Sequence, residues 1–336
     1  MTPPTVATTP RVSFVVLNWH NEAATCACVQ SIERQAGGLA TEIIVVDNDS
    51  TAASRSALAD APGSLVCLAG NRGFTGGMNA GARKARGEFI ALLNNDLRLA
   101  DDWLQTALTA ASDPRVGIVG GRSLSDQAGG TESTLPRIDP RGFSQLLAVD
   151  APRAAVASVD GGHLLVRTAT WRELGGFDDD FFAYYEELDL CARALARGWQ
   201  VIYEPGMRVW HRRGLSSDRV RWRRIFWARR NRTIWLAKHF PANEWRRVVI
   251  AATLEYLAQA LRGSGGPRGS WRGHVAFRAA SLAAAAWVLS HPRWLAAKRR
   301  ATIAAGQHDS GYRRRLNDLY EPFPFSRAIL AVPSRR

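Results

Sequence analysis

Short apolar runs recur through the first two hundred residues, each closed by small or polar residues and followed by a stretch with apolar positions at helical spacing. Val12 to Leu17, Glu42 to Val46, Leu65 to Leu68 and Phe89 to Leu93 have strand length. Between them lie Glu22 to Gln35, with Ala23, Cys26, Ala27, Val29 and Ile32 near helical spacing, a short stretch after Ser50, and one ending near Arg86. This alternation predicts β-α-β-α-β-α-β, a parallel sheet with helices on both faces. The run Gly87 to Leu93 ends in Asn94-Asn95-Asp96, which sets one carboxylate at a strand's carboxyl end, where open α/β sheets keep their ligand sites.

The alternation continues with a helix over Trp103 to Ser112 and a strand over Val116 to Gly120. Gly121 to Ala157, carrying Pro136, Pro140 and Pro152, has little periodicity and reads as a long surface excursion. Order returns with a strand over Val159 to Arg167, a short helix closing at Gly175-Gly176, a helix carrying Leu188, Cys191, Ala192 and Leu195 that stops at Gly198, and a strand over Gln200 to Tyr203. Arg219 to Lys238, Asn243 to Leu261 and Trp271 to Ala305 read as helices, the last two separated by Gly263 to Ser270.

Composition adds a division that the pattern does not show. The 336 residues are 46% hydrophobic and 22% charged, as in a globular protein of one large domain with an appendage, or of two domains. Residues 1–206 hold 17 Lys/Arg against 24 Asp/Glu, a net of −7, and residues 207–336 hold 27 against 6, a net of +21. The two parts therefore meet different electrostatic partners; nucleic acid, an anionic membrane surface or a pyrophosphate-bearing acceptor would each suit the basic one. Cys26, Cys28, Cys67 and Cys191 lack the paired spacing of a zinc site and are expected to be reduced, buried thiols. Met1 to Pro10 reads as a frayed tail without a leader, and no run reaches the roughly 18 apolar residues of a spanning helix, so a cytoplasmic location is expected.

The candidate chemistry is acidic. Asp47 and Asp49 follow the second strand and Asp96 the fourth; three acidic strand ends on one sheet point to a nucleotide and a divalent cation. Gly70 to Asn79 is glycine-rich but fits neither G-x-G-x-x-G nor G-x-x-x-x-G-K-[ST], so it supports neither a dinucleotide fingerprint nor an NTPase. It reads equally as a phosphate-binding loop or a tight turn. Glu186, Glu187 and Asp189 lie in the first turn of a helix behind Phe181, Phe182, Tyr184 and Tyr185, where a carboxylate walled from water can act as a general base. Solvated dipole complements would look the same.

The ordered set Val15 to Asn18, Val45 to Ser50, Asn71 to Phe74, Asn79 to Gly81, Leu93 to Asp96, Gly175 to Asp178, Glu186 to Leu190 and His211 with Gly214 and Ser216 resembles glycosyltransferase family 2, in its bacterial rhamnosyltransferase-like branch. The resemblance covers about residues 11 to 240. It implies the α/β GT-A fold, a mostly parallel sheet flanked by helices, here with a basic helical C-terminal extension. It also implies inverting transfer from a dTDP- or UDP-sugar with Mg²⁺ or Mn²⁺.

Carried onto this chain, the resemblance sets Asn18, Asp47, Asp49, Asn71, Gly73, Phe74, Asn79 and Asn95 in the nucleotide-sugar pocket and Asp96 and His211 at the metal. Glu187 falls where the family keeps its base, with Glu186 and Asp189 as alternatives because Glu187 stands for the usual Asp. Asn94-Asn95 replaces the leading acid of the D-x-D element, which implies weaker metal binding or, at the extreme, a sugar-binding relative without activity. The expected organisation is a tail over 1–10, a catalytic domain over 11–215 with nucleotide and acceptor halves meeting near 120, and a basic helical region over 216–336. The expected acceptor is a glycan or a polyprenyl-diphosphate-linked glycan, with the basic helices on the inner face of an anionic membrane and no nucleic acid. A nucleotidyltransferase should carry a Gly-rich basic loop where Asn18 to Glu22 stands.

Overall fold

A computed structural model describes residues 9–35, 38–125, 135–138, 142, 144–147, 151–211, 221–240, 244–262 and 271–306. The readings made for residues 1–8, for Gly214 and Ser216, for Gly263 to Ser270 and for the chain beyond 306 lie outside the described residues.

β1 (Val12–Asn18), β2 (Thr41–Asn48), β3 (Ser64–Leu68) and β4 (Phe89–Asn94) pair in parallel in the order β3-β2-β1-β4, linked by α1 (Glu22–Glu33), α2 (Ala52–Leu58) and α3 (Gly73–Ala82). Their near-continuous apolar runs have a direct cause: both faces are covered. On β1, Val12, Phe14 and Val16 pack with Cys28, Val29 and Ile32 of α1, while Val15 faces Met78 and Ala82 of α3. The glycine-rich stretch is mostly helix, because α3 begins at Gly73 itself.

The second half follows as β5 (Leu97–Leu99), α4 (Trp103–Ala110), β6 (Val116–Ser125), β7 (Leu135–Ile138), β8 (Ser144–Leu147), β9 (Ala154–Ala155), β10 (His163–Arg167), α5 (Thr168–Leu174), α6 (Glu186–Ala196) and β11 (Gln200–His211). β10 runs antiparallel between β4 and β6, β11 lies parallel to β6, and β5 closes that edge antiparallel to β11. Two strands outrun their predicted lengths, since β6 continues into the supposed surface excursion and β11 extends past a register shift to His211. β7 and β8 pair as a separate antiparallel ribbon in that excursion.

Four helices complete the described chain: α7 (Arg221–His239), α8 (Trp245–Arg262), α9 (Trp271–Ser290) and α10 (Pro292–Ala304). The single helix read over 271–305 is two, because Pro292 starts a helix well and cannot continue one. Ile234, Trp235, Tyr256, Ala284 and Leu295 share a core with Phe181, Tyr185 and Leu188, so the helices pack onto the start of α6. Part of the basic charge is spent inside this core. Arg232 meets Glu255 at 3.1 Å, and Arg299, 4% exposed, donates to the carbonyls of Ala237 (2.9 Å) and Phe240 (2.6 Å) at the end of α7. Ile250, Leu254 and Leu261 of α8 and Val275, Leu282 and Leu289 of α9 face outward at helical spacing. Among the described residues no helix is long and apolar enough to cross a membrane. All four cysteines are free, with Cys28 and Cys191 buried and Cys67, against expectation, exposed.

Candidate active site

The reversal of β10 assembles the site. Running opposite to β4, it brings its first residues to the end where β4 finishes, so that the Asn94 N–H donates to the Gly162 carbonyl at 2.9 Å. β5, starting one residue after Asp96, pairs Leu97 with His211. His211 Nε2 thus stands 3.1 Å from Asp96 Oδ1, both side chains 13% exposed, although 115 positions separate them in sequence.

Between this pair and α6 runs Asp160-Gly161-Gly162. A Cβ on Gly162 would lie 3.5 Å from Asn94 Nδ2 and 3.6 Å from His211 Cε1, and one on Gly161 would lie 3.2 Å from Glu187 Cβ and 3.4 Å from its carboxyl carbon. The loop therefore touches the Asp96–His211 side with one glycine and carries Glu187 on the other. Asp160 accepts from the Ser123 hydroxyl (3.0 Å) and the Gly162 N–H (3.0 Å). Burial first, and then the Asp160 charge, push the Glu187 carboxyl up to about 7. The sequence reading had passed over Asp160 as part of a strand; its signal was an acid before two glycines ahead of an apolar run.

The three acids of α6 have separate fates. Glu186 is buried, one carboxyl oxygen lacks a hydrogen-bond partner, and burial and the Glu187 charge hold it well above the usual carboxylate range. Asp189 is fully enclosed at the centre of an ion cluster, 2.6 Å from Lys238 Nζ, 2.7 Å from Arg193 Nε and 2.8 Å from His239 Nε2. Burial works against its charge, but Lys238 and Arg193 outweigh it and hold the carboxyl well below its ordinary value. An anion tied to two cations and the His239 ring is a brace between α6 and α7 and is poorly placed to take a proton. Glu187 alone combines partial exposure with a raised affinity for a proton.

On the nucleotide side the eight residues drawn from the sequence divide. Asp47, 1% exposed, receives Asn18 Nδ2 at 2.9 Å and Ser54 Oγ at 2.6 Å, so both its oxygens are engaged inside the protein. Asn95 donates to Thr25 Oγ1 (2.9 Å), and Asn79 binds the Phe177 carbonyl (2.9 Å) and Asp179 (2.6 Å), tying α3 to the segment that leads into α6. These four shape the pocket from behind. Asp49 is open to solvent, 3.3 Å from His20 Nε2, and both residues hold left-handed backbone, with φ of 85° and 52°. Asn71 is exposed, Phe74 is half-buried, and Gly73 has φ 72° with Phe182 so near that a Cβ would meet its carbonyl oxygen at 2.4 Å. Asn48, which the sequence reading did not single out, holds this loop through Asn71 Oδ1 (3.1 Å), the Gly73 carbonyl (3.0 Å) and the Arg72 N–H (2.8 Å).

The turn before α6 is strained. Phe182, Tyr184 and Tyr185 all have positive φ, at 63°, 74° and 73°. Each non-glycine residue so placed costs about 1–3 kcal/mol and persists only where its surroundings impose it.

A four-stranded parallel block that turns mixed at β10, with acids gathered at its carboxyl end, is the GT-A architecture of nucleotide-sugar transferases. The structure superposes on a mannosyltransferase of Pyrobaculum calidifontis solved with GDP-Man and Mn²⁺, with a TM-score of 0.52 and 20% identity over 93% of this chain and 88% of that one. Residues 13–173 match the family described as Glycosyl transferase family 2, and this part of the chain is a domain of that family. A low-salt glycan biosynthesis hexosyltransferase of Haloferax volcanii is 24% identical over 54% of this chain and 61% of its own length. An N-acetylglucosaminyl-diphospho-decaprenol L-rhamnosyltransferase of Mycobacterium tuberculosis is 27% identical over 39% of this chain and 49% of its own. The chain thus spans less than two thirds of either relative.

Proposed function

We propose that this protein is an inverting glycosyltransferase that moves a hexose from a nucleotide-sugar donor to a hydroxyl of a glycan or polyprenyl-diphosphate-linked acceptor. The observation that carries the reading is Glu187, seated on Gly161 across a glycine loop from Asp96 and His211, with its carboxyl raised to about 7. A carboxylate of that strength takes a proton near neutral pH. As the acceptor hydroxyl attacks the anomeric carbon from the side opposite the diphosphate, Glu187 receives its proton, and one displacement inverts the centre. Asp49, His20 and Asn71 supply polar groups for base, ribose and phosphates.

Among the described residues no three His, Cys, Asp or Glu side chains are grouped to hold a metal. Asp96 and His211 nevertheless fit one. They converge at 3.1 Å and His211 Nδ1 is buried without a partner, while Mg²⁺ and Mn²⁺ are commonly held by one or two protein ligands with the rest from substrate phosphates and water. A cation there would neutralise charge on the leaving diphosphate. The Pyrobaculum relative was solved with Mn²⁺, which supports metal dependence in this chain. The donor we favour is dTDP-rhamnose, because the sequence resembles the rhamnosyltransferase-like branch and the mycobacterial relative is named an L-rhamnosyltransferase; a UDP-sugar with galactofuranose or GlcNAc is the alternative. The test is calorimetric titration with dTDP and with UDP in Mn²⁺, Mg²⁺ and EDTA. Metal-dependent binding of one nucleotide is expected, and no binding to either in any metal overturns the reading.

A lipid-linked acceptor requires approach to a membrane, and α8 and α9 offer a face for it. They pack against each other and turn Ile250, Leu254, Leu261, Val275, Leu282 and Leu289 outward, with exposed Arg246, Arg247 and Arg278 among them. Apolar stripes bearing arginines suit an anionic bilayer surface, here the inner face of the cell membrane. The protein is expected to sediment with phosphatidylglycerol vesicles at physiological salt, and a variant combining Leu254→Glu with Leu282→Glu to stay in solution. Wild-type protein left in the supernatant would sink this part of the reading.

A further inference from the structure

The strained turn ahead of α6 is held from outside by one side chain of α7. Asn231, fully buried, directs its amide nitrogen at the carbonyls of Phe181, Ala183 and Tyr184, each at 2.7 Å. Two N–H bonds serve three acceptors, an arrangement that only a fixed crowding of carbonyls presents. Beside it Arg230 donates to the Phe181 carbonyl at 3.0 Å and orients the Asn231 oxygen through a 2.9 Å bond, and the Trp227 ring lies 4.7 Å from that of Phe182. On its far side the turn meets the nucleotide half, where the Phe182 carbonyl accepts from the Thr75 N–H at 3.2 Å. The turn thus stands between the start of α3 and the start of α6.

We propose that Asn231 is a positioning residue for sugar transfer: its amide fixes the left-handed turn 182–185 so that α6 begins where Glu187 rests on Gly161. The inference rests on Glu187 being the base, but the clamp itself has a readout that needs no turnover. Without the amide, the Ala183 and Tyr184 carbonyls lose the bonds that hold them, the Phe181 carbonyl keeps Arg230, and the turn relaxes toward ordinary backbone. The start of α6 moves with it, while the donor pocket around Asp49 and Asn71 keeps its own ties through Asn48.

The experiment compares Asn231→Ala and Asn231→Ser with wild type and with Leu295→Ala, a truncation in the core the turn shares that removes no hydrogen bond to its carbonyls. In Asn231→Ala, kcat is expected to fall about 10²-fold with donor KM within about twofold, since misplacement of a reacting group by about 1 Å costs that much. Asn231→Ser, retaining one donor, is expected to fall between, and hydrogen exchange over 182–188 to accelerate in both. Leu295→Ala is expected to melt earlier with kcat and local exchange near wild type below its transition. Wild-type exchange over 182–188 in both Asn231 variants would overturn the clamp, and so would a kcat loss no greater than that of Leu295→Ala at matched stability. If wild type transfers no sugar while exchange behaves as expected, the clamp stands and the functional reading fails.

Discussion

Glu187→Gln is expected to reduce kcat by about 10²- to 10⁴-fold, the usual contribution of a positioned base, while nucleotide affinity stays within about twofold. The amide keeps the shape that packs on Gly161, so the loss isolates proton transfer from geometry. Glu187 must be deprotonated to act, and its carboxyl lies at about 7; the rate of the wild type should therefore rise with pH through that value and fall below it. Replacing Glu186 by Gln should change little, because burial and the Glu187 charge already favour the neutral form of that carboxyl, which the amide resembles. Single-turnover rates from about pH 6 to about pH 8, roughly one unit either side of the Glu187 value, on the three proteins check all of this. A near-normal Glu187→Gln rate would move the role to a neighbour.

Asp96→Asn is expected to lower metal-supported nucleotide affinity by about 10²-fold and leave the affinity in EDTA unchanged, since it removes the one carboxylate set to meet a hard cation. The neutral side chain can still bond to His211 at the end of β11, so the fold should survive. His211→Ala should act in the same direction, and the double variant little further, because the two side chains would serve one ion. Calorimetric titrations with and without Mn²⁺ separate the cases. Unchanged metal dependence in Asp96→Asn would place the cation elsewhere.

The parallel half of the sheet was legible because its strands are buried on both faces and therefore read as unbroken apolar runs, as in Val12 to Leu17 and Phe89 to Leu93. The same double burial hid which polar strand-end residues face the pocket. With no polar face to set a parity, Asp47 looked as available as Asp49, and only the contacts from Asn18 and Ser54 show it turned inward. Asn79 and Asn95 pose a related difficulty, since short amides that suit a ribose also suit a brace between loops, and here both have partners inside the protein. Strand direction was beyond local pattern altogether. β10 reads the same in either sense, yet its reversal is what carries Asp160 and its glycines to Asp96. Asp189 in a first helical turn gave no sign of Lys238 and His239, which approach from another helix. The break at Pro292 was available in the residues and was overrun by the apolar spacing around it.

The clamp on the turn comes from residue 231, after every strand among the described residues in chain order. During synthesis the nucleotide side of the site, closed within the first hundred residues, leaves the ribosome long before the side chain that braces the base. That brace is therefore acquired late, and a nascent chain halted inside α7 carries β1 to β4 complete beside an unsecured turn. For anyone recombining this domain with its relatives, the seam has to fall behind the helices that pack on the start of α6 and not at residue 173, where the family match ends.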